Sequence, residues 1–316
     1  MAAVLTVIAA WLLGVVAVVD GCARAGPNVA GAASSDCRRP YSAQSPWNTA
    51  IARHARRAQA LPVRGPLTSD PTQYTYPVYE AGAGTPLRTL RVDGVYSDVS
   101  DGGSRLSIAH HVRLRLPIPR AARAAAGSDA QVVLTDRATG DEWGAWQLRR
   151  AGSGFRAENA YHYNVRWNGV PPHTGDGRPF GSRGAGVPYL AGLVRRCEIA
   201  RGRIDHALAF AYDSPSSGHT YPATKSDGTG TGRSAVPEGT RLQLDPSLSA
   251  ARIRSWGCTR ACLVIARALQ RYGMFVIDSS GRPKVMFEYA GTARWHGVVH
   301  AGTVSPIPLG AFRVVP

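Results

Sequence analysis

The sequence predicts a mainly β protein: an antiparallel β-sandwich with one packed helix. Three observations predict it. Gly 35 and Pro 22 together make up close to a fifth of the 316 residues, which favours many turns and short strands over long helices. Short runs alternate with the period of a strand. In HHVRLRLPIP (110–119), His111, Arg113 and Arg115 oppose Val112, Leu114 and Leu116. One segment, CLVIARALQRYG (262–273), has clear helical spacing, with Gly273 at the stop position. With 44% hydrophobic and 18% charged residues, the chain has enough apolar material for one sizeable core.

Residues 2–19 form an unbroken apolar stretch, and Ala23-Arg24-Ala25 follows as an A-x-A-like cleavage site. Residues 1–25 therefore read as a signal peptide or an N-terminal membrane anchor. Lipidation of Cys22 after VVDG is the alternative. The small, polar residues 26–45 read as a flexible linker. Residues 46–316 read as one β-sandwich domain.

Within that domain, 74–81 and 87–97 are strand-like. Residues 130–150 read as a hairpin turning at Ala138-Thr139-Gly140. Residues 151–190 and 214–240 read as long loops, the kind of segment that carries function. RIDHALAFAYD (203–213) is the most strand-like run, and 241–247, 274–278, 285–290 and 311–315 follow as strands. No internal repeat and no βαβ alternation is present.

The five cysteines fit an oxidising compartment. Setting Cys22 aside leaves four. Cys258 and Cys262 are close enough for a local bridge if a helix starts between them, which pairs Cys37 with Cys197. The net charge of +16 is almost all arginine, because only Lys225 and Lys284 are lysines. The arginines are scattered, with no basic stripe interleaved with aromatics, so nucleic acid is not the expected partner. An acidic glycan or cell envelope suits a diffuse positive surface better.

Several blocks occur together: PIPRAARAAAGSDAQVVLTDRATGDEWGAWQ, GVPYLAGLVRRCEIARGRIDHALAFAY, YPATKSDG, PEGTRLQLDPSL and IARALQRYGMFVIDSSG. In order and spacing they resemble a family of secreted proteins of actinobacteria and other soil bacteria, over roughly residues 45–315. The resemblance implies export and a single jelly-roll-like sandwich, a fold shared by many carbohydrate-active proteins. Cys197 and the Cys258/Cys262 pair depart from the family pattern.

The candidate chemistry centres on His206. On a strand it shares a face with Ile204, Leu208, Phe210 and Tyr212, while Asp205 falls with Ala207, Ala209 and Ala211. The alanine face suits packing against the helix or a second sheet. Asp205 therefore cannot orient His206. Tyr221 and Lys225, in the following loop, complete a catalytic set suited to polysaccharide β-elimination, which needs a base, an acid and neutralisation of a carboxylate. Glycoside hydrolysis would instead use a carboxylate pair from Asp136, Glu142, Asp278 and Glu288. Tyr161, His162, Trp167 and Glu142 are the candidate substrate-binding residues, with aromatic faces suited to sugar rings. No C-x2-C pair, P-loop or dinucleotide fingerprint occurs, so neither metal nor cofactor is expected. The expectation is an exported carbohydrate-active protein, a polysaccharide lyase or glycoside hydrolase. The alternative is a non-catalytic glycan-binding or structural cell-envelope protein, meeting the membrane only through its N-terminal segment.

Overall fold

The computed structural model describes residues 37–53, 55, 65–93, 112–172 and 182–315. The leader and the His110-His111 pair lie outside the described residues. Strand takes 33% and helix 12% of the described residues, so the mainly β expectation holds. The strands do not form one jelly-roll sandwich. Among the described residues they are distributed over four sheets, several with parallel neighbours.

The largest sheet runs, in spatial order, Thr68–Ser69, Lys284–Val285, Leu208–Tyr212, Met274–Ser279, Arg241–Leu244, Phe312–Val315. Leu208–Tyr212 and Met274–Ser279 are parallel neighbours. A four-stranded sheet joins Val78–Ala81, Val132–Asp136, Asp141–Trp146 and Asn159–Asn164. Its middle pair is the expected hairpin, registered Leu134 to Trp143. Another sheet joins Val112–Pro117, Leu87–Val92, Gly154–Ala157 and Arg149–Ala151. Two of these strands, Gly154–Ala157 and Asn159–Asn164, fall in a stretch that reads as loop, because its glycines and aromatics mask the alternation. Tyr161 and Tyr163 point into the core while His162 points away.

The strand Leu208–Tyr212 explains the layering. Leu208, Phe210 and Tyr212 pack in one apolar cluster with Ile265 and Leu269 of the helix Arg260–Arg271. Ala207, Ala209 and Ala211 belong to a second cluster with Trp47, Val187 and Leu193. The alternation is as the sequence implies, but the helix lies on the bulky face and not on the alanine face. The alanine face instead admits backbone: Ala209 N–H donates to Gly192 O at 2.8 Å. Gly192 has φ +69°, and a Cβ there would meet Ala209 N at 2.3 Å.

The helix begins after Thr259, whose hydroxyl accepts from Cys262 N–H. Cys258 is bridged to Cys262 across that start, and Cys37 to Cys197, with Cα separations of 5.2 and 5.5 Å. Both pairings match the sequence reading. The linker boundary does not. Tyr41 is buried and donates its hydroxyl to Glu142 at 2.8 Å, and Ser45 is fully buried. Residues 37–45 are therefore part of the packed structure. No helix among the described residues is long and apolar enough to cross a membrane.

Candidate functional site

His206 is 2% exposed. Its Nε2 lies 2.9 Å from Glu198 Oε1 and its Nδ1 lies 2.8 Å from Ala207 O. Both partners offer acceptor oxygens, a geometry that suits a ring donating from both nitrogens. Burial opposes the charge, but Glu198 and the Ala207 carbonyl outweigh it and raise the pKa above the ordinary histidine value. Glu198 in turn accepts from Arg195 N–H at 2.9 Å, across the first turn of the helix Arg196–Arg201. His206 thus fastens a helix to the segment that leads into the strand Leu208–Tyr212, and its side chain is buried. Asp205 pairs with Arg203 at 2.8 Å and Arg201 at 3.4 Å.

The three residues grouped as catalytic in the sequence each have separate surroundings. No hydrogen bond or ion pair among the described residues joins His206 to Tyr221 or Lys225. Tyr221 is 64% exposed and stands on the rim of a cleft with Arg241 and Phe275. Lys225 donates Nζ to Arg183 O at 2.6 Å.

Glu142 is fully buried and committed. It accepts from Tyr161 OH at 2.6 Å, Tyr41 OH at 2.8 Å and Leu190 N–H at 3.1 Å. Burial pushes its carboxyl up, against the pull of those three donors. Tyr161 OH also accepts from Tyr189 N–H. These two residues pin the N-terminal arm and the 185–193 loop to the hairpin, and both side chains are buried. Of the carboxylates considered for hydrolysis, Asp136 caps its own turn at Ala138 N–H, and Glu288 pairs with Arg195 at 2.8 Å.

Two of the substrate-binding candidates retain accessible surface. His162 Nε2 lies 2.8 Å from Asp141 Oδ1 and the ring stacks on Trp143 at 5.4 Å. Trp167 is 38% exposed and meets Tyr163 edge-on at 4.9 Å.

Arg166, next to Trp167 in sequence, lines a groove of about 310 Å³. Arg38, Arg39, Arg137 and Arg195 line it too, and among the described residues Glu80 and Asp136 are its only acids. The arginines come from four separate segments. Arg38 and Arg39 follow Cys37, whose bridge to Cys197 fixes the arm to the helix that Arg195 precedes. Arg137 is in the hairpin turn and forks onto Glu80 through Nε and Nη2, at 3.1 and 3.2 Å. Arg166 is held by Ala138 O at 2.9 Å. The arginines outnumber the acids even with Arg137 paired to Glu80 and Arg195 to Glu288, so the groove is net basic, and its size falls in the range of small-ligand sites.

A second constellation lies where Asp227, from a loop, and Glu238, at the end of the strand Val236–Glu238, meet the end of strand Met274–Ser279. Oxygens of Asp227, Glu238 and Asp278 all fall within 4.8 Å of one another. Burial, then Asp227 and Asp278, push the Glu238 carboxyl up to about 9. Burial, then Asp227, push Asp278 up to about 7 against the pull of Arg183. Of this group only Asp278 is singled out by the sequence. Asp227 and Glu238 carry no spacing signal. No family model, curated protein or solved structure matches the chain.

Proposed function

We propose that the protein is an exported, non-catalytic binder of acidic polysaccharide, holding carboxylate- or sulfate-bearing sugar units in the arginine groove. The convergence of Arg38, Arg39, Arg137, Arg166 and Arg195 on one groove carries this reading. Guanidinium presents a planar fork of donors that matches a carboxylate or sulfate edge, and charge-assisted bonds of this kind are stronger than neutral ones. The exposed face of Trp167 supports a sugar contact beside it. The overall charge of +16 favours steering of a polyanion toward the surface. Export is supported by the apolar leader, by the A-x-A-like site and by four cysteines paired in two bridges.

A catalytic reading, lyase or hydrolase, draws on Asp278 and Lys225. It is the weaker one, because Glu238 beside Asp278 is fully buried and offers a sugar ring no approach, whereas hydrolysis needs two carboxyls flanking the scissile bond. Incubating the mature domain with polyuronate, sulfated and neutral glycans separates the two. Retention on the acidic glycans without new reducing ends or unsaturated products supports binding alone. Product formation replaces that reading with the enzymatic one. No retention on any acidic glycan removes the binding reading, and no product from any glycan removes the enzymatic one.

A further inference from the structure

Glu238 is 0% exposed, and neither of its carboxylate oxygens has a hydrogen-bond partner. A buried carboxylate without donors is costly, so such groups are paired, protonated or bound to a metal. Among the described residues no ion pair reaches it from Lys225 or Arg183. Lys225 instead donates to the Arg183 carbonyl. What Glu238 does face is two more carboxylates, Asp227 on the solvent side and half-buried Asp278.

The surrounding backbone leaves room for this convergence. Gly184 N–H donates to Asp278 Oδ1 at 3.2 Å. A Cβ on Gly184 would stand 2.5 Å from both Asp227 Oδ1 and Glu238 Oε1. The glycine therefore lets the two oxygens close over its own backbone.

Three points within 4.8 Å of one another share a centre within about 2.8 Å of each, close to the 2.3–2.6 Å at which calcium binds oxygen. We propose that Asp227, Glu238 and Asp278 hold a hard divalent cation. The donor set is all oxygen, which suits calcium, magnesium or manganese and not a thiophilic metal. The exposure of Asp227 leaves an entry path and open positions for water. The competing occupant is a proton shared between Glu238 and Asp227. This inference stands on different residues from the arginine groove and does not depend on it.

The test is calorimetric titration of EDTA-treated full-length protein with CaCl2, MgCl2 or MnCl2, alongside thermal melts. At least one of these is expected to bind with one cation per chain, and at saturation to raise Tm by about 5 °C. Glu238→Gln keeps the side-chain volume and removes the charge. It is expected to fold, checked by circular dichroism, and to lose at least about 100-fold in cation affinity. Asp227→Asn, at the exposed position, is expected to lose about tenfold, and Gly184→Ala to abolish binding by filling the space. Absence of heat and of any Tm change with all three salts would overturn the proposal in favour of the shared proton. Undiminished binding in folded Glu238→Gln would overturn it as well.

Discussion

His206 Nε2 lies 2.9 Å from Glu198 Oε1, and the two residues are 2% and 3% exposed. A histidine in the most strand-like run of the sequence is thus half of a buried ion pair joining the helix Arg196–Arg201 to the segment that leads into the strand Leu208–Tyr212. Removing one partner of such a pair leaves a buried charge uncompensated, at a cost of about 3–5 kcal/mol. His206→Leu is expected to lower unfolding free energy by about that amount in urea titrations, while folded protein keeps its glycan affinity.

The same pair sets a pH dependence. The folded-state pKa of His206 lies above the unfolded value. The native state therefore binds the extra proton, and the contribution is fully present below about pH 6.5, the unfolded histidine pKa. It is lost as pH rises through the higher folded pKa. Denaturation midpoints measured from pH 6 to pH 9 are expected to fall for the wild type and to show a smaller decline in His206→Leu.

The Cys37–Cys197 bridge spans 160 residues and Cys258–Cys262 spans 4. Chain-entropy arguments give about 5 kcal/mol for the long loop and about 2 for the short one. The double substitution Cys37→Ser, Cys197→Ser is expected to destabilise more than Cys258→Ser, Cys262→Ser. It is also expected to weaken acidic-glycan binding, because Arg38 and Arg39 lose their tie to the groove. Chemical denaturation and binding isotherms on both variants check this.

Arg183 is buried and holds the backbone at Tyr189 and Ala191, on either side of Leu190 in the lining of the arginine groove. It donates to Tyr76 OH at 3.2 Å and to Ala191 O at 2.9 Å, with its guanidinium 4.7 Å from the Tyr76 ring centre. Lysine has neither the fork nor the flat face. Arg183→Lys is expected to cost about 2–4 kcal/mol in unfolding free energy despite keeping the charge.

How far the sequence reads through to the molecule depends on the range of the interaction. Local signals survive. The helix after Thr259, the hairpin turn capped by Asp136 and the alternation of Leu208, Phe210 and Tyr212 against three alanines are all visible in a few neighbouring residues. Both disulfide pairings follow from count and spacing. What is lost is convergence. Arg38, Arg39, Arg137, Arg166 and Arg195 look scattered along the chain, and only the disulfide, the hairpin turn and a helix start gather them. Asp227, Glu238 and Asp278 share no motif for the same reason. The parallel neighbours Leu208–Tyr212 and Met274–Ser279 are separated by 61 intervening residues, and no local pattern states that they pair. His206 misleads in the opposite way. Its sequence neighbourhood suggests chemistry, whereas its partner Glu198 comes from a short helix that periodicity does not reveal.

The most direct measurement for the arginine groove is the affinity of a uronic-acid oligosaccharide for the wild type and for Arg137→Ala, Arg166→Ala, by calorimetry at low and at physiological salt. Each lost charge-assisted contact is worth roughly tenfold. The double variant is expected to bind about 100-fold more weakly, with a shallower salt dependence and an unchanged melting curve. Wild-type affinity in the variant, or equal affinity of the wild type for a neutral oligosaccharide of the same length, would contradict the assignment.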